Sequence, residues 1–203
     1  FRSGGGTAVY INDYVELVNI GSTTQTLNNA SIQYASASGT FNSYNVLPSI
    51  TLSPGQKYLI EMVPSTANTT GAALPTADYQ VVNNTRFSDG QVFAGGYNMS
   101  ASNGKVALVQ GTSGAAVQAT GPASSGVLDY VGYGTATTYE GTGAAPALDA
   151  TKSAQRKLPL ADTNNNANDF EAKAPTPENK ASLAVGDVNK SKINLVKNTI
   201  VKD

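Results

Sequence analysis

Every apolar run in this chain is short, alternates at a period of two, and is cut off by turn residues. In Tyr14-Val15-Glu16-Leu17-Val18-Asn19, Val15 and Leu17 point one way and Tyr14, Glu16 and Val18 the other, the pattern of a half-buried strand. Lys57-Tyr58-Leu59-Ile60-Glu61-Met62-Val63 follows Ser53-Pro54-Gly55-Gln56, a turn with proline second and glycine third, as type II requires. Further strands are expected over 30–35, 40–46, 105–109, 127–134, 153–157 and 170–174. Asn103-Gly104 reads as a hairpin turn leading into the strand at 105. Residues 64–90 read as a long polar insertion, 88–100 as a segment with room for a short strand, and 161–170 as a turn. No stretch sustains a helical apolar period, so the expected class is all-β, with short strands closing a sandwich or barrel.

Composition narrows what such a fold can do. The chain has 203 residues, enough for one domain with an appendage. Charged residues are only 13 % and small polar residues abound, which suits a loop-rich folded β protein better than a disordered one. A net charge of −1 argues against broad nucleic-acid binding. The charge is uneven: residues 1–150 hold four basic groups against eight acidic, and residues 151–203 nine against six. Histidine and cysteine are absent, which removes the commonest general base and metal ligand and is compatible with secretion. No apolar run approaches the roughly 20 residues of a spanning helix. The chain opens on Phe1 rather than Met, so an upstream segment or signal peptide is expected.

Nothing in the sequence assembles a catalytic constellation. Asp13 and Glu16 fall on opposite faces of a regular strand, which disfavours their use as a carboxylate pair. No Gly-x-Ser-x-Gly elbow or Ser-x-x-Lys motif is present. The triple glycine at 4–6 lacks the lysine and following helix of a phosphate loop. Tyr133, between two glycines, reads as a sheet residue beside a turn, with a binding aromatic as the alternative. One cation motif stands out, Asp162-x-Asn164-x-Asn166-x-x-Asp169, whose alternate oxygens can converge on Ca²⁺. It departs from an EF-hand, with Ala167 at the turn glycine and Lys173 at the closing glutamate. The competing reading is an array of Asx turns. Glu16 needs a partner if buried, and Arg156, in another strand-like motif, is expected to supply it.

Several motifs taken in order carry a family resemblance. They are Asn12-Asp13-Tyr14-Val15-Glu16-Leu17-Val18-Asn19, Leu52-Ser53-Pro54-Gly55-Gln56-Lys57-Tyr58-Leu59-Ile60, Gly104-Lys105-Val106-Ala107-Leu108-Val109 and Leu128-Asp129-Tyr130-Val131-Gly132-Tyr133-Gly134. Ser153-Ala154-Gln155-Arg156-Lys157, Asp162-Thr163-Asn164-Asn165-Asn166 with Asp169-Phe170, and Pro175-Thr176-Pro177 complete the set. In order and spacing the chain resembles the bacterial lamin-tail domain over roughly residues 4–179. The resemblance implies an immunoglobulin-like β-sandwich, a non-catalytic module of secreted or surface proteins that often sits beside nuclease or phosphoesterase domains. Members usually begin with an apolar strand, whereas only Phe1 and Arg2 precede Ser3 and the glycines here.

The expected organisation is therefore a lamin-tail-like sandwich over 1–179, then a linker and β-prone segment over 180–203. In Ile193-Asn194-Leu195-Val196-Lys197-Asn198-Thr199-Ile200-Val201, the apolar residues Ile193, Leu195, Val196, Ile200 and Val201 suit a strand. That strand is expected to fill the edge left by the shortened N-terminal strand, in its own molecule or a neighbour; the alternative is the start of a further domain. The expected function is a non-catalytic structural or interaction module on a bacterial surface or outside the cell. The expected partners are proteins, with copies of itself as one option, and neither nucleic-acid binding nor membrane insertion is expected. The alternatives are a subunit of a filament or lattice joined by strand exchange, and an accessory domain of a secreted nuclease or phosphoesterase.

Overall fold

The computed structural model describes residues 8–110, 117 and 121–182. The chain is all-β. In order its elements are β1 (Asp13–Val18), β2 (Gln25–Leu27), β3 (Ala30–Ala35), β4 (Ser43–Val46), β5 (Ile50–Leu52), β6 (Lys57–Met62), β7 (Tyr79–Val81), β8 (Asn83–Arg86) and β9 (Val92–Ala94). There follow β10 (Gly104–Gln110), β11 (Val127–Tyr133), β12 (Ser153–Arg156), the single-turn α1 (Asn166–Asp169) and β13 (Phe170–Lys173).

Two sheets make a sandwich-like body. One has three strands in the order β1-β6-β7, the other six in the order β11-β10-β3-β4-β8-β9. Alternation along the strands explains why they stack. Val15 of β1 and Ile60 and Met62 of β6 meet Ile32 of β3 and Val106 of β10 in the main core, with Leu17 and Leu108 packed against it. The intervening residues of β10, Ala107 and Val109, point through the sheet into a second core with Ala35, Phe41 and Tyr130. β10 is thus buried on both faces, which is why it reads as a continuous apolar run. The β12–β13 ladder packs on β11 through Val131, Tyr133, Ala154 and Phe170.

The expected strands at 14–19, 30–35, 57–63, 105–109, 127–134, 153–157 and 170–174 all form, with edges shifted by a residue or so. The turn before β6 also forms as expected: Gly55 takes φ +74° and the Gln56 amide donates to Ser53 O at 3.0 Å. Of 40–46 only Ser43–Val46 pairs. The insertion at 64–90 is not free of strands, since β7 adds in parallel to β6 and β8 pairs with β4. These strands have three and four residues, too few to show a period. Asn103-Gly104 does not form a hairpin, because β10 pairs with the distant β3 and β11. Gly104 is needed for close packing instead: a Cβ there would lie 2.8 Å from the Tyr133 hydroxyl and 2.9 Å from the Tyr34 ring. Residues 1–7 and the β-prone segment at 193–201 lie outside the described residues.

Candidate functional site

The two sheets differ in width, and the difference makes a groove. Among the described strands β1 is paired on one side only, with β6. Val106 and Leu108 of β10, packed in or against the main core, also line the space beside β1. The β12–β13 ladder forms the far wall. Between them lies a groove of about 520 Å³, floored by Ile32, Val106 and Leu108 and walled by Val15, Leu17, Ala154 and Phe170. Ile20, Leu128 and Leu158 stand at its lips with 45, 48 and 71 % of their surface exposed.

Charged side chains at the groove are matched with one another. The Arg156 guanidinium lies over the Phe170 ring, 4.6 Å from its centre. It contacts Asp129 at 3.0 Å, Asp162 at 3.4 Å and Asp169 at 3.5 Å, and donates to Ala161 O at 3.0 Å. Burial alone would raise the Asp169 carboxyl, but the Thr163 hydroxyl and amide, the Asn165 amide and the Arg156 charge outweigh it and hold it below the usual range. Glu16 faces Lys57 at 3.0 Å and accepts from the Glu178 amide at 2.7 Å.

The expected Glu16–Arg156 pair is therefore corrected. Both residues line the groove, but their ionic partners differ. Register decides the matter: Glu16 stands opposite Leu59 and Val18 opposite Lys57, so Glu16 and Lys57 are diagonal neighbours on one face of an antiparallel pair. Arg156 lies across the groove among carboxylates from β11, α1 and the 162 loop.

The calcium expectation is corrected too. Asp162 and Asp169 meet at the Arg156 guanidinium, at 3.4 and 3.5 Å, a cation of the chain itself. Asp162 Oδ1 accepts from the Asn164 amide at 3.0 Å in an Asx turn, where Asn164 takes φ +52°, a conformation Asn tolerates. Asn166 turns inward and is fully buried. Its Oδ1 accepts from the amides of Gly132 at 2.8 Å and Glu140 at 3.2 Å, and its Nδ2 donates to Tyr130 O at 2.8 Å and Glu140 Oε2 at 3.1 Å. Among the described residues no group of three or more His, Cys, Asp or Glu could hold a metal ion.

Other candidates resolve into structural roles. Asp13 Oδ2 accepts from the Met99 amide at 2.6 Å inside the protein. Tyr133 is fully buried and its hydroxyl donates to Ser100 O at 2.7 Å, so the sheet reading of that residue stands. Glu140, in a Gly/Thr-rich loop, was invisible to sequence reasoning. Burial first, then the charges of Asp129 and Asp162, push its carboxyl up to about 7. Asp129 did have a signal: a carboxylate inside Val-Leu-Asp-Tyr-Val demands a partner by the logic applied to Glu16.

No family model matches the chain, and comparison with curated proteins and with solved structures finds no match.

Proposed function

We propose that this chain is a non-catalytic interaction module, an immunoglobulin-like sandwich of the lamin-tail type, acting outside the cell or on a bacterial surface. One observation carries the reading: a groove with an apolar floor runs between β1 and the β12–β13 ladder. The apolar floor of the groove and its exposed lips at Ile20, Leu128 and Leu158 offer contact to the side chains of a protein partner. The chemistry of the lining supports binding over turnover. Arg156 is held by three carboxylates and a ring, and Glu16 by Lys57 and a backbone amide, so each is engaged in holding the fold. The lamin-tail assignment rests on the ordered motifs, and the surface location on that resemblance and the absence of cysteine.

The test is direct. The purified chain is assayed against nuclease, phosphatase and glycosidase substrates with and without divalent metal. No turnover is expected. Turnover that Asp129→Asn or Asp162→Asn abolishes would overturn the reading in favour of an enzyme.

A further inference from the structure

We propose that two copies of this chain join through β9, edge to edge about a twofold axis at Phe93, so that their six-stranded sheets run on as one. This surface lies apart from the groove, and the proposal is independent of the non-catalytic reading.

The two ends of the large sheet are finished differently. At one end stands β11, whose outward backbone groups are taken up. The Gly132 amide donates to Asn166 Oδ1 at 2.8 Å, Tyr130 O accepts from Asn166 Nδ2 at 2.8 Å, and Gly132 O accepts from the Ala145 amide at 2.8 Å. At the other end stands β9, which among the described strands pairs with β8 alone. The Arg86 amide donates to Gln91 O at 2.9 Å and the Gly95 amide to Val82 O at 2.8 Å, with Phe93 in register with Asn84. In an antiparallel ladder that phase turns the backbone groups of Gln91, Phe93 and Gly95 towards β8 and those of Val92 and Ala94 outward. Among the described residues nothing bonds to these outward groups.

An edge of this kind is normally blunted by lysine, proline or a bulge. Val92-Phe93-Ala94 has neither lysine nor proline, and Val92 is 58 % and Phe93 38 % exposed. Every residue from 88 to 94 is exposed, so no described segment lies over the strand. The strand fits a copy of itself. Antiparallel pairing about Phe93 sets Val92 opposite the Ala94 of the second molecule, and Ala94 opposite its Val92. Both are pairs of the hydrogen-bonded type, so all four outward groups on each copy find partners. Phe93 falls on the axis opposite its own copy, in the close position where aromatic rings pair across strands. The Arg86 guanidinium lies 5.0 Å from the Phe93 ring centre and is matched by Asp89, so no unpaired charge is brought to the axis. Symmetry alone supplies the match, which makes a second copy the occupant. The contact is isologous and closes at two. Three residues make a small interface, so the dimer is reversible.

Sedimentation of the full chain over a wide concentration range should show a monomer–dimer equilibrium and nothing larger. Ala94→Pro removes an outward N–H without costing the β8 ladder a bond. Two bonds are lost by symmetry, so dimerisation should weaken roughly tenfold or more. Phe93→Lys and Phe93→Glu should each stay monomeric, because the axis sets like charges against each other, and mixing the two should recover a one-to-one dimer. Should these variants fail to fold, cross-linking stands in. The chain has no cysteine, so Phe93→Cys should form an intermolecular disulfide on mild oxidation, since directly opposed residues lie within its reach. Val92→Cys is more exposed but opposes Ala94 rather than itself, and should not. A parent chain that is monomeric throughout overturns the proposal. So does dimerisation unchanged by Ala94→Pro and by both charged Phe93 variants, which would place the interface elsewhere, and so does equal cross-linking of the two cysteine variants. None of these failures touches the non-catalytic reading, which only turnover removes.

Discussion

Asn166 and Glu140 bind each other twice: the Asn166 amide nitrogen donates to the Glu140 carboxylate at 3.1 Å, and the Glu140 backbone amide donates to the Asn166 oxygen at 3.2 Å. The same Asn166 side chain serves Gly132 N and Tyr130 O of β11. One fully buried side chain thus fastens the 140 loop and α1 to the large sheet. Asn166→Ala takes a partner from two backbone donors and two acceptors, at about 1–3 kcal/mol for each left unsatisfied. The expected loss in a denaturant melt is roughly 3 kcal/mol or more. A loss below about 1 kcal/mol would mean that the clamp is not what holds the loop.

Glu140 gives the protein a pH dependence of known sign. Burial, reinforced by Asp129 and Asp162, raises its folded pKa from 4.5 to about 7. The folded state therefore binds more proton than the unfolded state between these values, and stability falls as pH rises through that window. The full cost, present above pH 7, is on the order of 3 kcal/mol. Glu140→Gln keeps an oxygen for Asn166 and should flatten the slope between pH 5 and 8, gaining most at the alkaline end. Asp169 contributes in the opposite sense and lower down: its folded pKa is depressed, so its stabilisation is lost as pH falls through the acid range. Melting temperatures of the two forms from pH 4 to 8 check both signs.

Removing Arg156 and removing one of its carboxylates should not be equivalent. The Arg156 side chain is 9 % exposed and Asp169 4 %, while Asp129 is 38 % exposed. Arg156→Met leaves Asp169 without its cation and is expected to cost about 3–5 kcal/mol. Asp129→Asn leaves the guanidinium two other carboxylates and should cost about 1 kcal/mol or less. Arg156→Lys cannot span Asp129, Asp162 and Asp169 with one ammonium and should fall between. Equal losses for Arg156→Met and Asp129→Asn would refute this ordering.

The sequence disclosed the long strands and the four-residue β12 and β13, but concealed the short strands that only pairing with a neighbour holds in place. Six- and seven-residue strands such as β1, β3, β6, β10 and β11 repeat their alternation enough to be read. β7 and β9, with three residues each, exist because β6 and β8 hold them, which no local pattern records. The same limit applied to the site. Strand periodicity placed Glu16 on a face that needs a partner, but naming Lys57 required the register of β1 on β6. The oxygen-rich 162–169 run was legible as a motif, yet whether its side chains point outward to a cation or inward to amides depends on β11 behind it. Gly132 is the clearest instance. In the sequence it is one of many glycines; in the fold a Cβ there would sit 2.2 Å from Thr138 O. Gly132→Ala should destabilise strongly or prevent folding, while Gly90→Ala, with nothing within 4 Å but φ +70°, should cost only the roughly 1 kcal/mol of its backbone conformation.

A site binding Ca²⁺ with a Kd one-hundredth of the free concentration would stabilise the folded chain by about 2.7 kcal/mol, several degrees in Tm for a domain of this size. The geometry of residues 162–169 leaves no such site. Asp162 is committed to the Asn164 amide and Arg156, Asp169 to Thr163, Asn165 and Arg156, and Asn166 to β11 and Glu140. Drawing these oxygens onto a cation would break amide bonds and set Ca²⁺ against the guanidinium. Melts in millimolar Ca²⁺ and in excess chelator should therefore coincide. Asp162→Ala should lower the Tm slightly and equally in both, by the worth of one Asx hydrogen bond and a partly exposed ion pair, about 1 kcal/mol. A calcium-dependent rise in Tm that Asp162→Ala removes would show that the loop rearranges to bind the ion.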